Sequence, residues 1–312
     1  MNTLTNYALQ TKYEQVKKLR PKLEEIKNLL NWKRFLSLFP DKESCLGRPE
    51  YNRILMLKIM FLQSWYSISD EEIEFQVYDR LSFQQFLDFP EEIPDYTTIW
   101  RFRESLTEGT IAEQIWEELQ HQILSKGVEI KEGKIQDATF IIAEPGKKNS
   151  GLNGRGREAK ASRNRDATWT KKGNKNYFGY KLHSKVDVNT KIITEFGVST
   201  AKTFDGHIDL ADSNEITYRD RCYSGSKTKA KGDATMKRGN LTPHQKLRNK
   251  RISRTRCRGE HPYAAIHRVF HGGKTKLTTL ARVYVQQLFV CASYNLLRLT
   301  FLLRDSVSSL KN

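Results

Sequence analysis

Cysteine is scarce in this chain, and its spacing forms no pattern. Four cysteines in 312 residues, Cys45, Cys222, Cys257 and Cys291, include no Cys-x-x-Cys pair. Neither a disulfide framework nor a zinc ribbon is therefore indicated. The first ten residues, Met1 to Gln10, are polar and lack the apolar centre of a signal peptide, which places the expected chain in the reducing cytosol. Long apolar runs are also missing, with one exception. Leu280 to Leu303 is long enough to span a bilayer, but Gln286, Gln287, Asn295 and Arg298 interrupt it, so a buried helix is expected and no membrane partner. Acid is the other shortage, with 36 Asp and Glu against 53 Lys and Arg and a formal net charge of +17. So basic a chain, with pI about 9.6, favours a polyanionic partner over an anionic membrane surface or a mere excess of solvated lysines.

What is present divides at about residue 126. Lys12 to Leu30 has helical spacing of apolar residues (Val16, Leu19, Leu23, Ile26, Leu29, Leu30), interrupted near Pro21. A core helix is expected from about Tyr51 to Trp65, and Ser69-Asp70-Glu71-Glu72 has the form of a reciprocal capping box opening a helix toward Asp79. Asp95 caps a further helix, Tyr96 to Leu106, whose Arg101 and Arg103 are expected to be exposed. Short helices on tight turns fit a helix-turn-helix-like unit, although three-helix packing needs no DNA. Another helix runs from about Ile111 to Ser125. Residues 1–126 thus form an expected all-α domain for DNA binding and oligomerisation.

After Gly127 the pattern changes to strands. Lys134 to Ile142 is a β run with a carboxylate, Asp137, inside it, where an unpaired acid would be costly. Residues 145–175 are rich in Lys, Arg and Gly, including Lys171 and Lys172, and are expected to be a flexible phosphate-binding arm or simply a solvated loop. Trp169 in this arm is suited to stacking on an unpaired base. Tyr177 to His183 and Lys191 to Val198 form an expected hairpin that directs Lys181 and His183 to one face, toward phosphate. A short helix is expected from Gly206 to Asp212 and a strand over Glu215 to Tyr218, leading into Asp220. The stretch from Asp220 to Glu260 is nearly free of acids and reads as loop plus helix. Glu260 then stands alone among Arg254, Arg256, Arg258, His261 and His267, as a salt-bridge partner or a metal ligand beside a polyanion. Residues 127–305 are the expected catalytic domain and 306–312 a tail.

Several motifs recur in an order that resembles the DDE insertion-sequence transposases, in particular the insertion-sequence-five family. They are Gly47-Arg48-Pro49, Gln63-Ser64-Trp65-Tyr66, Ser69-Asp70, Pro94-Asp95 through Phe102-Arg103, Asp137-Ala138-Thr139, Gly179-Tyr180-Lys181-x-His183, Asp220-x-x-Tyr223-x-Gly225, Arg256-x3-Glu260-x6-His267 and Tyr294-Asn295-Leu296 with Arg298. The resemblance covers about Gly47 to Arg298. It implies a ribonuclease-H-like α/β catalytic core behind the all-α domain. It also implies Asp137, Asp220 and Glu260 as catalytic ligands of two Mg²⁺ ions, with Mn²⁺ as substitute. The expected substrate is double-stranded DNA, as terminal inverted repeats and target, bound by a homodimer in the cytoplasm at the nucleoid. Arg256, His267 and Tyr223 join Lys181, His183, Lys171, Lys172, Trp169, Arg101 and Arg103 as expected DNA contacts, and an Asp near Asp205 supports the site. His267 stands where the family has Lys, Arg221-Cys222 is not the usual pair, and the interval from Asp205 is short. These departures leave an inactive copy open.

Two rivals come from other classes. Cys257, His261, His267 and His271 could bind zinc, although C-x3-H-x5-H-x3-H is no standard finger. A helix-turn-helix regulator with a basic tail would leave the three acids without a role. A nuclease or resolvase of the same fold is the nearest enzymatic alternative.

Overall fold

The computed structural model describes residues 4–19, 22–39, 50–130, 133–145, 164 and 166–309. The Gly47-Arg48-Pro49 motif and most of the basic segment from 146 to 165 lie outside these residues. The chain divides into two compact units, one of residues 1–126 with 299–312, the other of residues 127–298.

In the first unit every described element is helical: α1 (Leu4–Leu19), α2 (Lys22–Leu29), a 3-10 turn (Trp32–Leu38), α3 (Arg53–Tyr66), α4 (Asp70–Asp79), α5 (Leu81–Phe86), α6 (Tyr96–Ser105) and α7 (Ile111–Ser125). Side-chain caps set the starts. Asn52 accepts from Ile54 N at 2.8 Å, Ser69 from Glu72 N at 3.2 Å, and Asp95 from Thr98 N at 2.6 Å. The capping box at Ser69 is half formed, because the Glu72 carboxylate takes the Gln76 amide instead of reaching back. The centre is α3, buried without a break from Leu55 to Leu62. Even Lys58 is enclosed there, its ammonium paired with Asp88 and 5.4 Å from the Trp32 ring centroid. Leu19, expected on the apolar side of its helix, is exposed.

Arg103 also departs from expectation. It is buried, and its guanidinium grips both oxygens of Asp70 at 2.7 and 2.5 Å, with Gln63 donating to the same carboxylate. Residues two apart on a helix project about 200° from each other. Arg101 is therefore exposed while Arg103 ties α6 to α4.

The second unit is built on a seven-stranded mixed sheet. Its strands are β1 (Gly133–Ala143), β2 (Thr168–Lys172), β3 (Lys175–Asp187), β4 (Ile193–Thr200), β5 (Ile216–Arg219), β6 (Gly232–Thr235) and the short β7 (Lys274–Thr275). Across the middle the order is β4–β3–β1–β5–β6, antiparallel as far as β1 and parallel beyond it. The β3–β4 turn is organised by Asp187, which accepts from the amides of Asn189 and Thr190 and pairs with buried Lys134 at 3.1 Å. Gly179 is required where β3 meets β1: its φ is +146°, and an added Cβ would lie 2.1 Å from the Ile141 carbonyl oxygen.

Three helices complete the unit: α8 (Pro243–Arg256), α9 (Glu260–Arg268) and α10 (Leu280–Ser309). The polar residues within α10 are pinned inside the unit. Asn295 clamps both the N–H and the C=O of Ile193, Gln287 donates to the Gly272 carbonyl, and Arg298 donates to that of Thr190. Among the described residues no helix is long and apolar enough to cross a membrane.

Four expectations are corrected. Residues 168–172 are a strand rather than part of a flexible arm. The helix expected over 206–212 is only the 3-10 turn Asp205–His207. The 220–260 interval contains β6, which was not foreseen. The helix α10 continues to Ser309, and its residues from Leu299 group with the helical unit, so the second unit closes at 298 rather than 305.

Candidate active site

Strand register places the first two acids. β1 and β5 run parallel with Ile135 beside Tyr218, so the same register continued two residues brings Asp137 level with Asp220, just past the end of β5. Asp220 follows directly on β5 and caps the next 3-10 turn, accepting from the Cys222 amide. Asp137 accepts from its neighbour Ala138 N at 2.9 Å, and its other oxygen takes Arg256 Nη2 at 2.7 Å. Burial pushes the Asp137 carboxyl above the usual carboxylate range, and the Asp220 charge pushes it the same way. The opposing pull of Arg256 and the Ala138 amide is smaller in sum.

The helices deliver the rest. Gly259, just before α9, lies so close to β1 that a Cβ there would approach Ile135 to 2.7 Å. Further along α9, Tyr263 meets the Ser184 hydroxyl at 2.8 Å, and His267 Nε2 meets the Thr139 hydroxyl at 2.8 Å. In antiparallel pairing, residues directly opposite share a face. Asp137 lies opposite Ser184 and Thr139 opposite Leu182. The face of the sheet carrying Asp137 is thus the one α9 covers. No local sequence pattern announces the Ser184–Tyr263 and Thr139–His267 contacts, although Thr139 follows Asp137 by the two residues that return a strand to one face.

Lys181 and His183 fall on the other face, opposite Phe140 and Ala138. Both are corrections to the expected phosphate contacts. Lys181 is held by Asp205 and by the Thr203 carbonyl, each at 2.7 Å. His183 is fully buried against the Ser199 hydroxyl at 2.7 Å, and burial lowers its pKa to about 4. Arg256 engages Asp137 rather than open solvent. His267 is likewise not set up as a charged donor, because desolvation lowers its pKa.

Tyr223 is buried, with Arg219 5.5 Å from its ring centroid, and among the described residues its hydroxyl has no hydrogen-bond partner. Burial raises its pKa, as do the charges of Asp137, Asp205 and Asp220 nearby. Trp169 is exposed on β2 against Phe178, with ring centroids 5.1 Å apart, and Lys171 and Lys172 on the same strand are exposed.

Two adjacent carboxylates in mutual repulsion, one of them partly buried, are a donor pair suited to a hard divalent cation. Glu260, the first residue of α9, is exposed, and among the described residues its side chain has no hydrogen-bond or ion-pair partner. Among the described residues no three His, Cys, Asp or Glu side chains converge to hold a metal ion. Of the residues expected in the zinc reading, His261 faces Tyr294, His267 faces Thr139, and Cys257 is exposed.

Two family models match the chain. One, described as Transposase domain (DUF772), covers residues 11–105; the other, described as Transposase DDE domain, covers residues 131–296. No solved structure matches. The second match spans more than half of the chain and contains Asp137, Asp220 and Glu260, and with the first it identifies the protein as a member of the DDE-type insertion-sequence transposases.

Proposed function

We propose that this transposase, a member of the insertion-sequence-five group, binds the ends of its own element as a homodimer at the nucleoid. There it cleaves and transfers DNA strands with divalent metal ions, Mg²⁺ by preference. The observation that carries this reading is the parallel register of β1 with β5, which continued two residues brings Asp137 level with Asp220 just past β5, together with the covering of the Asp137 face by the helix that begins with Glu260. The order β4–β3–β1–β5–β6 supports a ribonuclease-H-like core. In this reading Asp137, Asp220 and Glu260 hold the ions. Ions held there would supply Lewis-acid activation of an attacking water or 3′-hydroxyl and charge stabilisation for the leaving oxygen.

The chain's own groups position and neutralise. Arg256 offers a planar fork matched to two phosphate oxygens. The Tyr223 hydroxyl, buried without a partner, is available to donate to an anionic oxygen. Trp169, Lys171, Lys172 and Arg101 are the exposed DNA contacts of the expected set. No tyrosine or serine attacks the DNA, because in-line displacement by water or a 3′-hydroxyl needs no covalent protein intermediate.

A catalytically silent copy is the second reading, favoured by the Arg256–Asp137 ion pair and the absence of a closed three-acid cluster among the described residues. Glu260→Gln separates the two. It keeps shape and hydrogen bonding, so end-specific binding in gel shift should persist while Mg²⁺-dependent nicking falls by orders of magnitude. Nicking retained by the variant sinks the three-acid assignment. Absence of nicking in the unaltered protein establishes the silent copy.

A further inference from the structure

Between Asp233 and Glu260 the chain has nine Lys and Arg and no acid. Most of this charge is on α8, a well-started helix: Thr242 and Gln245 form a reciprocal capping box, and Pro243 occupies the first turn. Its inner face is anchored almost entirely by polar bonds. Asn249 makes two hydrogen bonds to the backbone of Lys237, at 3.0 and 2.9 Å, and Arg248 donates to the carbonyls of Thr235 and Asp233 at 2.7 and 3.1 Å. Apart from Asn249, only Ile252 on the helix is buried.

The outer face is different. Lys246, Lys250, Arg251 and Arg254 are exposed, and among the described residues none has a hydrogen-bond or ion-pair partner for its side-chain cation. Lys246 and Lys250, and Lys250 and Arg254, are like charges one helical turn apart, an arrangement that destabilises a helix in water. Leu247, about half exposed, sits among them. Over this track of about 12 Å, at 1.5 Å per residue, no carboxylate offsets the repulsion. At its inner end α8 finishes with Arg256, which touches Asp137.

We infer that the outer face of α8 is a duplex-DNA track that lays the phosphate backbone toward the paired carboxylates. The inference rests on the transposase reading and adds a contact surface to it. A duplex fits this face because it presents one negative charge per about 1.7 Å of axis, dense enough to engage all four cations over the length of the helix. Sequence readout is not required, because contacts to phosphate position DNA without reading it.

The test uses the full chain with Lys250→Gln, Arg251→Gln and Arg254→Gln combined, in EDTA so that catalysis plays no part. Affinity for a random-sequence duplex is measured from low to physiological salt. Each lost phosphate contact should flatten the slope of log K against log salt by about 0.9, so a flattening of about 2 to 3 is expected. The variant should also melt at a higher temperature without DNA, because like-charge repulsion has been removed. This rise reports intact folding and tests the repulsion directly. Arg251→Lys, which keeps the charge, should keep the slope. An unchanged slope in the triple variant overturns the track while leaving the transposase reading standing. A flat salt response in the unaltered protein overturns both. A slope that flattens with single-stranded RNA but not with duplex DNA overturns the assignment of the partner.

Discussion

The two faces of the β3–β1 sheet are treated very differently. On one, Lys134, Lys181 and Lys185 are each matched by carboxylates, and His183 is sealed in neutral form. On the other, Asp137 stands beside Asp220 with its charge resisted by burial, and a tyrosine hydroxyl nearby goes without a partner. The first face closes its electrostatics internally; the second leaves them open. Charge that is satisfied within the chain marks scaffold, and charge left in tension marks the place where something else is expected to bind.

The contrast can be broken most strongly at Lys185. Its ammonium, on a side chain 3 % exposed, reaches Asp212, Glu195 and Glu215 at 2.6, 2.9 and 3.3 Å. Lys185→Met should cost about 3 kcal/mol in chemical denaturation, the low end for a broken buried pair, because Asp212 and Glu195 remain open to water. DNA affinity should be unchanged below the unfolding transition. A fall in affinity would show that this face also meets DNA.

His183 gives a smaller, pH-dependent effect. Its folded pKa of about 4 lies below the ordinary 6.5, so the unfolded chain takes up the proton first. Stability should therefore fall as pH drops from 6.5 toward 4, by up to about 3 kcal/mol. Unfolding curves across this range should flatten in His183→Gln; if they do not, the imidazole is not the group that titrates.

On the open face the sign reverses and the effect is smallest. The Asp137 pKa is raised, so ionised Asp137 weakens the fold at neutral pH, and Asp137→Asn should raise the melting temperature there. The gain should vanish as pH falls through the raised pKa toward the ordinary carboxylate value. A lowered melting temperature at neutral pH would mean that the Arg256 pair outweighs burial.

Much of this was legible in the sequence, for identifiable reasons. Asp137 and Asp220 could be picked out because each ends or interrupts a β run that would otherwise be apolar or uncharged. Lys181 and His183 were correctly read as sharing a face, but alternation fixes only their relation to each other. Which face they take depends on the pairing of His183 with Ala138, which no local pattern encodes. Arg101 and Arg103 were misread together although helix geometry separates them. β6 was invisible because Gly232-Asp233-Ala234-Thr235 has little strand propensity. It exists because β5 offers an edge and Arg219 holds Asp233 and Thr235 from below. The convergence of α8 and α9 on β1 required contacts over more than a hundred residues of separation, which periodicity cannot report.

The glycine at 259 has a consequence for how such an element could fall silent. Its bare Cα rests on Ile135, and the very next residue is Glu260, the third acid of the proposed site. A single methyl group there would press against the strand that carries Asp137 and push the head of α9 away. On the proposed function, one base change to alanine would thus disarm the protein while leaving its charge and every acid intact, a lesion that no survey of catalytic residues would detect.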